Sequence, residues 1–348
     1  RGDLQQYWLR HHPGAQEVEA FVAALEDRTR QAASVRRQHK QPKANGNNWL
    51  LDISIADAHV GRYGDNYDTA TACDLIRAGV DIAATDAGDV GAYCLSLRGD
   101  IWHSDNRGNR TEKSGHNIPT DCGYFDAIDA GTWAIVDTID ALADRGRPVY
   151  VVTVPGNHDW HSAQWLARVL AAWYHQDGRV HVTIPGHAGR TYLQHGLCAI
   201  GFAHGDERAD WSAVMAAEVP TLWGATRHRE FHLAHIHKEK QKAPITADRK
   251  PGCGVVWPAA LCSNDHWSDG AGFVGNWNGV SSYRWHDLYG RRYSCHYSAA
   301  LINDSTPQKP IKKQANQLKA QKSQKTNVTS TMGRENRKKR SLVAGELR

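Results

Sequence analysis

Five apolar runs in this 348-residue chain end in side chains that bind cations or move protons. Asp57 and His59 follow LLDISIA, Gly99-Asp100 follow AYCLSLR, and Asn157-His158-Asp159 follow VVTVPG. His204 follows LCAIGFA, and His235 and His237 follow EFHLA. Taken singly, a DxH, a GD or an HxH has ordinary explanations, a satisfied core or surface group among them. Five such endings in one chain point to a shared centre. The donors are carboxylate, imidazole and one Asn amide, with no thiolate. That set suits Mn²⁺, Fe or Zn²⁺ rather than a structural cysteine-rich zinc site. One carboxylate able to bridge, with roughly three ligands on either side, describes a two-metal hydrolytic centre.

Strands must carry these donors to one edge. The β-branched run at 151–154 stops at Pro155-Gly156, as a strand covered on both faces does at its end. In α/β sheets, ligands sit just beyond such carboxyl ends. The spacing predicts a helix over 15–38, a linker at 41–48 and a strand ending near Ala56. Helices are then expected over 67–87, 124–144 and 161–175, and strands over 91–98 and 148–154. This alternation argues for a layered α/β core with parallel strands. Past residue 178 the runs shorten, and the Gly/Trp-rich stretch 252–298 reads as antiparallel sheet. The expected organisation is an N-terminal helical segment and linker (1–48), a main domain (49–300) and a basic, disordered tail (301–348).

Composition narrows the class. Apolar residues make up 41%, including 13 Trp and 12 Tyr, which places the chain among globular proteins. No apolar stretch approaches the ~20 residues that cross a bilayer, so no membrane partner is expected. The stretch RGDLQQYWLRHHPG lacks a charged-then-apolar leader, and seven scattered cysteines never form CxxC. Reduced thiols in a cytosol are therefore expected. From Leu301 onward 12 Lys/Arg face three acidic residues, leaving 30 basic against 34 acidic in the remainder. A cationic tail on a mildly acidic body fits contact with nucleic acid, and equally a merely solubilising segment.

The blocks DAHVG (57–61), RGD (98–100), GNHD (156–159), AHG (203–205) and AHIH (234–237) resemble those of the calcineurin-like metallophosphoesterases. The resemblance covers about residues 50–240. It implies a four-layer αββα sandwich with two divalent ions at the strand ends, Mn²⁺ expected and Fe or Zn²⁺ as alternatives. Asp57, His59 and His237 would hold the first ion, and Asn157, His204 and His235 the second. Asp100 and a hydroxide would bridge them. His158 would be the acid that meets the leaving group, steered by Asp159.

The chain lacks the Asp-Arg-Gly pair after the second block and the Glu in place of Asp159 that mark protein Ser/Thr phosphatases. GDIWHSDN (99–106) is instead similar to the DNA double-strand-break-repair nuclease branch and to phage-encoded stand-alone enzymes. That similarity makes His103 a second catalytic imidazole. In the polar loop 104–121, Arg107, Arg110, Lys113 and His116 are candidates to grip a phosphate backbone, against the alternative of a solvated loop. Trp160 is a candidate to stack on a base, against packing at the start of the next helix. The function expected is phosphodiester hydrolysis by an exonuclease-like DNA nuclease. Rivals are a small-nucleotide phosphodiesterase or phosphatase and a catalytically silent nucleic-acid-binding scaffold.

Overall fold

The computed structural model describes residues 40, 42, 46–64, 66–110, 115, 117–207, 209–235, 246–250, 252–262 and 277–305. The expected helix over 15–38, Lys113, His116, His237 and the tail beyond residue 305 lie outside them.

The strands are β1 (Trp49–Ile55), β2 (Ala92–Leu97), β3 (Val149–Thr153), β4 (Val180–Thr183), β5 (Thr191–His195) and β6 (Cys198–Phe202). They continue with β7 (His228–His232), β8 (Thr246–Lys250), β9 (Cys253–Trp257), β10 (Gly279–His286) and β11 (Gly290–Ser298). The helices are α1 (Thr69–Asp86), α2 (Tyr124–Ala143), α3 (Trp160–Trp173), α4 (Trp211–Glu218), α5 (Pro220–Ala225) and α6 (Ala299–Ser305). The chain divides into two compact units, residues 1–299 and 300–348. Of the second, only residues 300–305 are described.

Every residue of β2 is buried, because a sheet covered on both faces has no polar side to show. The first sheet runs β11-β10-β1-β2-β3-β4, with β1 to β4 parallel and β10 antiparallel to both β1 and β11. The second runs β5-β6-β7-β9-β8. Leu50, Cys94, Val152 and Val154 of the first sheet meet Cys198, Ile200, Phe202 and Val256 of the second. Outside the first sheet, α1 packs on β1 and β10, and α2 and α3 on β3. Outside the second, Trp211 and Met215 of α4 pack on Phe231 and Val255. The layers are therefore αββα. Ile200, fully buried between the sheets, sets a scale for this packing. Ile200→Val is expected to cost about 0.5–1.5 kcal/mol, read from the urea midpoint at unchanged m.

Two details depart from the sequence reading. Helices α4 and α5 interrupt the run of strands, and the first is signalled by Asp210, which accepts from the N–H groups of Ser212 and Ala213. The antiparallel expectation for 252–298 holds for β10 and β11. However, β9 pairs parallel with β7 and antiparallel with β8.

A charged network pins the sheets together. Arg98 donates through Nη2 to Asp52 Oδ2 at 2.8 Å in the first sheet and to His232 Nδ1 at 2.8 Å in the second. Ser96 Oγ donates to Asp52 Oδ1 at 2.6 Å. The same His232 Nδ1 lies 3.1 Å from Asp52 Oδ2, so the imidazole contacts both members of the ion pair. Its Nε2 lies 3.5 Å from Glu230 Oε2, which Arg291 Nε reaches at 2.7 Å. Burial would raise the Asp52 pKa, but the Arg98 guanidinium and His232 hold it below 3.8.

Candidate metal centre

Beyond the strand ends, the loops after β1 and β2 remain paired. Asp57 N–H donates to the Gly99 carbonyl at 3.2 Å, His59 to Asp100 at 2.8 Å and Val60 to Ile101 at 2.7 Å. His103 then donates back to the Val60 carbonyl at 3.0 Å. The backbone must turn sharply to aim these side chains at one point. Among the described residues, five non-glycines have positive φ: Asp57 (51°), His59 (46°), Asp100 (53°), Asn109 (49°) and His235 (67°). Four of the five are expected ligands. The left-handed region costs an L-residue about 1–2 kcal/mol, least for Asn, Asp and His. Strain of this kind gathers where a site demands it.

Two glycines allow the loops to close. A Cβ at Gly156 would sit 2.1 Å from Asp100 Oδ1, and one at Gly99 would sit 2.6 Å from His204 Nδ1. Gly156→Ala is therefore expected to displace the Asp100 carboxylate and weaken Mn²⁺ affinity about 10–100-fold by calorimetric titration, as loss of a ligand's support does. Asp159, fully buried, ties the same loops together. Its Oδ1 accepts from Asp100 N–H at 3.1 Å and Gly156 N–H at 2.8 Å, and its Oδ2 accepts from Ile101 N–H at 2.7 Å. This corrects the steering role expected for it, because its oxygens are committed to backbone N–H groups. Burial and then the nearby Asp100 charge push its pKa up to about 7. His158 is instead oriented by the His103 carbonyl oxygen, 2.9 Å from its Nδ1, while its own N–H donates to Asp100 Oδ1 at 2.8 Å.

The donors gather in overlapping groups. Ligand atoms of Asp57, His59 and Asp100 lie within 4.8 Å of one another, as do those of Asp100, His204 and His235. Asp100 belongs to both. Asn157 joins the second group, with Oδ1 3.1 Å from His204 Nε2. His204 donates through Nδ1 to the Arg98 carbonyl at 2.9 Å, which turns Nε2 toward Asp100 Oδ2 at 3.2 Å. A carbonyl that fixes the tautomer in this way is the usual support of a metal-binding imidazole. Burial opposes a charge on His204, but Asp100 outweighs it and raises the pKa to about 10. Burial would likewise raise Asp100, yet His204 holds it well below 3.8. His235 is lowered by burial and then by His204, and its N–H donates to Asp57 Oδ2 at 3.1 Å. Two buried carboxylates, three imidazoles and an amide oxygen, with one carboxylate common to both groups, fit divalent metal binding.

His59, His103 and His158 form a third group with ligand atoms within 4.8 Å. His103 is buried, its Nδ1 3.2 Å from His59 Nδ1 and its ring stacked on His158 at 5.5 Å. Trp160 is 41% exposed, so it is not a core residue. Arg107 and Arg110 are exposed on a loop closed by a bridge between Arg110 and Asn117. Sequence reasoning missed Asp105. Its buried carboxylate accepts from the N–H groups of His161 (2.6 Å) and Ser162 (2.9 Å) and lies 2.9 Å from His161 Nδ1. It thereby caps α3 from another loop, which no local spacing announces.

No family model and no curated protein matches the chain. Solved structures do. A conserved protein of Streptococcus pneumoniae TIGR4, described as a predicted phosphoesterase, matches at 13% identity and a TM-score of 0.29, over 72% of this chain and 98% of that one. Vps29 of Entamoeba histolytica, complexed with zinc, matches at 13% and 0.27, over 72% and 99%. GAP50 of Plasmodium, described as the anchor in the inner membrane complex, matches at 8% and 0.33, over 75% and 95%. With its four layers, and with Asp57, Asp100, His204 and His235 collected at the strand-end edge, the chain has the αββα sandwich architecture expected from its sequence.

Proposed function

We propose that this chain is a metal-dependent phosphoesterase that cleaves phosphodiester bonds in nucleic acid, DNA foremost, as an exonuclease-like enzyme of the cytoplasm. The observation that carries the reading is Asp100, a carboxylate common to two buried donor groups at the sheet edge, with His158 bonded to it. Asp57, His59 and Asp100 would hold one cation, and Asp100, Asn157, His204 and His235 the other. On the sequence resemblance alone, His237 would be the remaining donor on the first side. Bound divalent ions neutralise phosphoryl oxygens and make water acidic enough to attack near neutral pH.

The chain's own groups do the rest. A carbonyl only accepts, so the His103 oxygen keeps a proton on His158 Nδ1 and leaves Nε2 to exchange one. Protonated at both nitrogens, His158 hands a proton to the departing alkoxide. His103, stacked on it, supplies a second imidazole beside the phosphate. Arg107 and Arg110 offer exposed positive charge to a phosphate backbone.

The test is Mn²⁺-dependent hydrolysis of linear DNA, circular DNA, RNA, bis-p-nitrophenyl phosphate and p-nitrophenyl phosphate. Diesters are expected to turn over faster than the monoester, and linear DNA faster than circular. No turnover on any of the five would sink the enzyme reading in favour of a silent scaffold.

A further inference from the structure

An open cleft of about 420 Å³ begins two residues beyond His158. One wall is the exposed face of α3, with Trp160, His161, Trp165 and Arg168, and the other is the loop between β4 and β5, with Gly186 and His187. Trp165 is 68% exposed, an unusual setting for a ring that buries 150–250 Å² when it packs. The Trp160 ring lies over Gly189, where an added Cβ would stand 3.1 Å from it. Arg168, three residues from Trp165 and so on the same helix face, is held by Gln164 through bonds of 2.7 and 2.9 Å. The His161 side chain, 66% exposed, is anchored by the buried Asp105 carboxylate at 2.9 Å. None of the described residues lining the cleft is acidic.

Two exposed indoles beside a steadied guanidinium and two imidazoles match a ligand with a flat aromatic part and an anionic part. Stacking serves any base, because every base has a π-face, and Arg and His complement phosphate. An apolar peptide or acyl chain would leave the charged groups unused.

We infer that this cleft is a subsite for a nucleobase and its phosphate, seating the nucleotide unit next to the scissile bond. The inference rests on the phosphoesterase reading for its role, but the subsite is testable without turnover. Tryptophan fluorescence of the full chain without added metal is titrated with adenosine 5′-monophosphate, ribose 5-phosphate and an octathymidylate. The base-bearing ligands are expected to quench and ribose 5-phosphate is not. In Trp165→Ala the Kd for the mononucleotide is expected to rise about 5- to 150-fold, the equivalent of one lost stacking contact, while Trp165→Phe keeps most of the affinity. Tighter binding of the octamer marks nucleic acid as the source of the base, and tighter binding of the mononucleotide marks free nucleotides. Equal quenching by ribose 5-phosphate, or an unchanged Kd in Trp165→Ala, overturns the subsite. Quenching without hydrolysis of any substrate sinks the enzyme reading alone, and hydrolysis without quenching sinks the subsite alone.

Discussion

His158→Ala is expected to lower Mn²⁺-dependent cleavage of DNA about 10²–10⁴-fold while both cations stay bound, because it removes a proton donor and no ligand. His158 is held by two bonds, from its Nδ1 to the His103 oxygen and from its N–H to Asp100. The backbone bond survives the substitution, so Asp100 keeps its place. An acid matters only when the leaving group needs a proton. The loss should therefore shrink on bis-p-nitrophenyl phosphate, whose nitrophenolate departs unaided. Kinetics on both substrates with elemental analysis of the variant decide the matter. An equal loss on both would end the acid role. A missing ion would make His158 a ligand, which its place beside His59 and His103 makes a sharp alternative.

Asp52→Ala is expected to destabilise the fold by about 3–5 kcal/mol, the cost of stranding a buried guanidinium. Arg98 and Asp52 are both fully inaccessible at 2.8 Å separation. Urea unfolding at pH 7 measures the loss. The double variant Asp52→Ala with Arg98→Met should recover much of it, since removing both charges removes the desolvation penalty along with the bond. A full additive loss in the double variant would mean that the pair itself, not the orphaned charge, matters. The pH dependence has a definite sign. The folded pKa of Asp52 lies below its unfolded 3.8, so its contribution is present above that value and drains away as pH falls through the lower one. The gap between wild type and Asp52→Ala should therefore be wide at pH 7 and narrow toward strong acid.

Much of this was legible in the chain. LLDISI, AYCLSL and VYVVT are mostly apolar and are buried at every or nearly every position, as a doubly covered parallel strand is. The polar residues after them had to fall at one edge, and Asp57, His59, Asp100, Asn157, His204 and His235 do. What sequence could not supply was partnership across long separations. Asp159 reads as a neighbour of His158, yet it holds Asp100, 59 positions away. Asp105 reads as one polar residue in a polar loop, yet it caps a helix 56 positions on. Helix α4 escaped for a different reason. Eight residues make barely two turns, too few for periodicity to rise above a run of strands, although its Asp210 cap was there to be seen.

The left-handed backbone at Asp57, His59, Asp100 and His235 narrows the routes by which single mutations can silence the centre. Besides glycine, the residues most at home in that region are Asn, Asp and His, all of them able to offer a cation oxygen or nitrogen. A change that the chain tolerates there tends to hand the ion another donor, and one that removes the donor also burdens the fold. Glycine is the exception at each of the four positions. It is the replacement to choose for emptying the pocket with the loops left in shape.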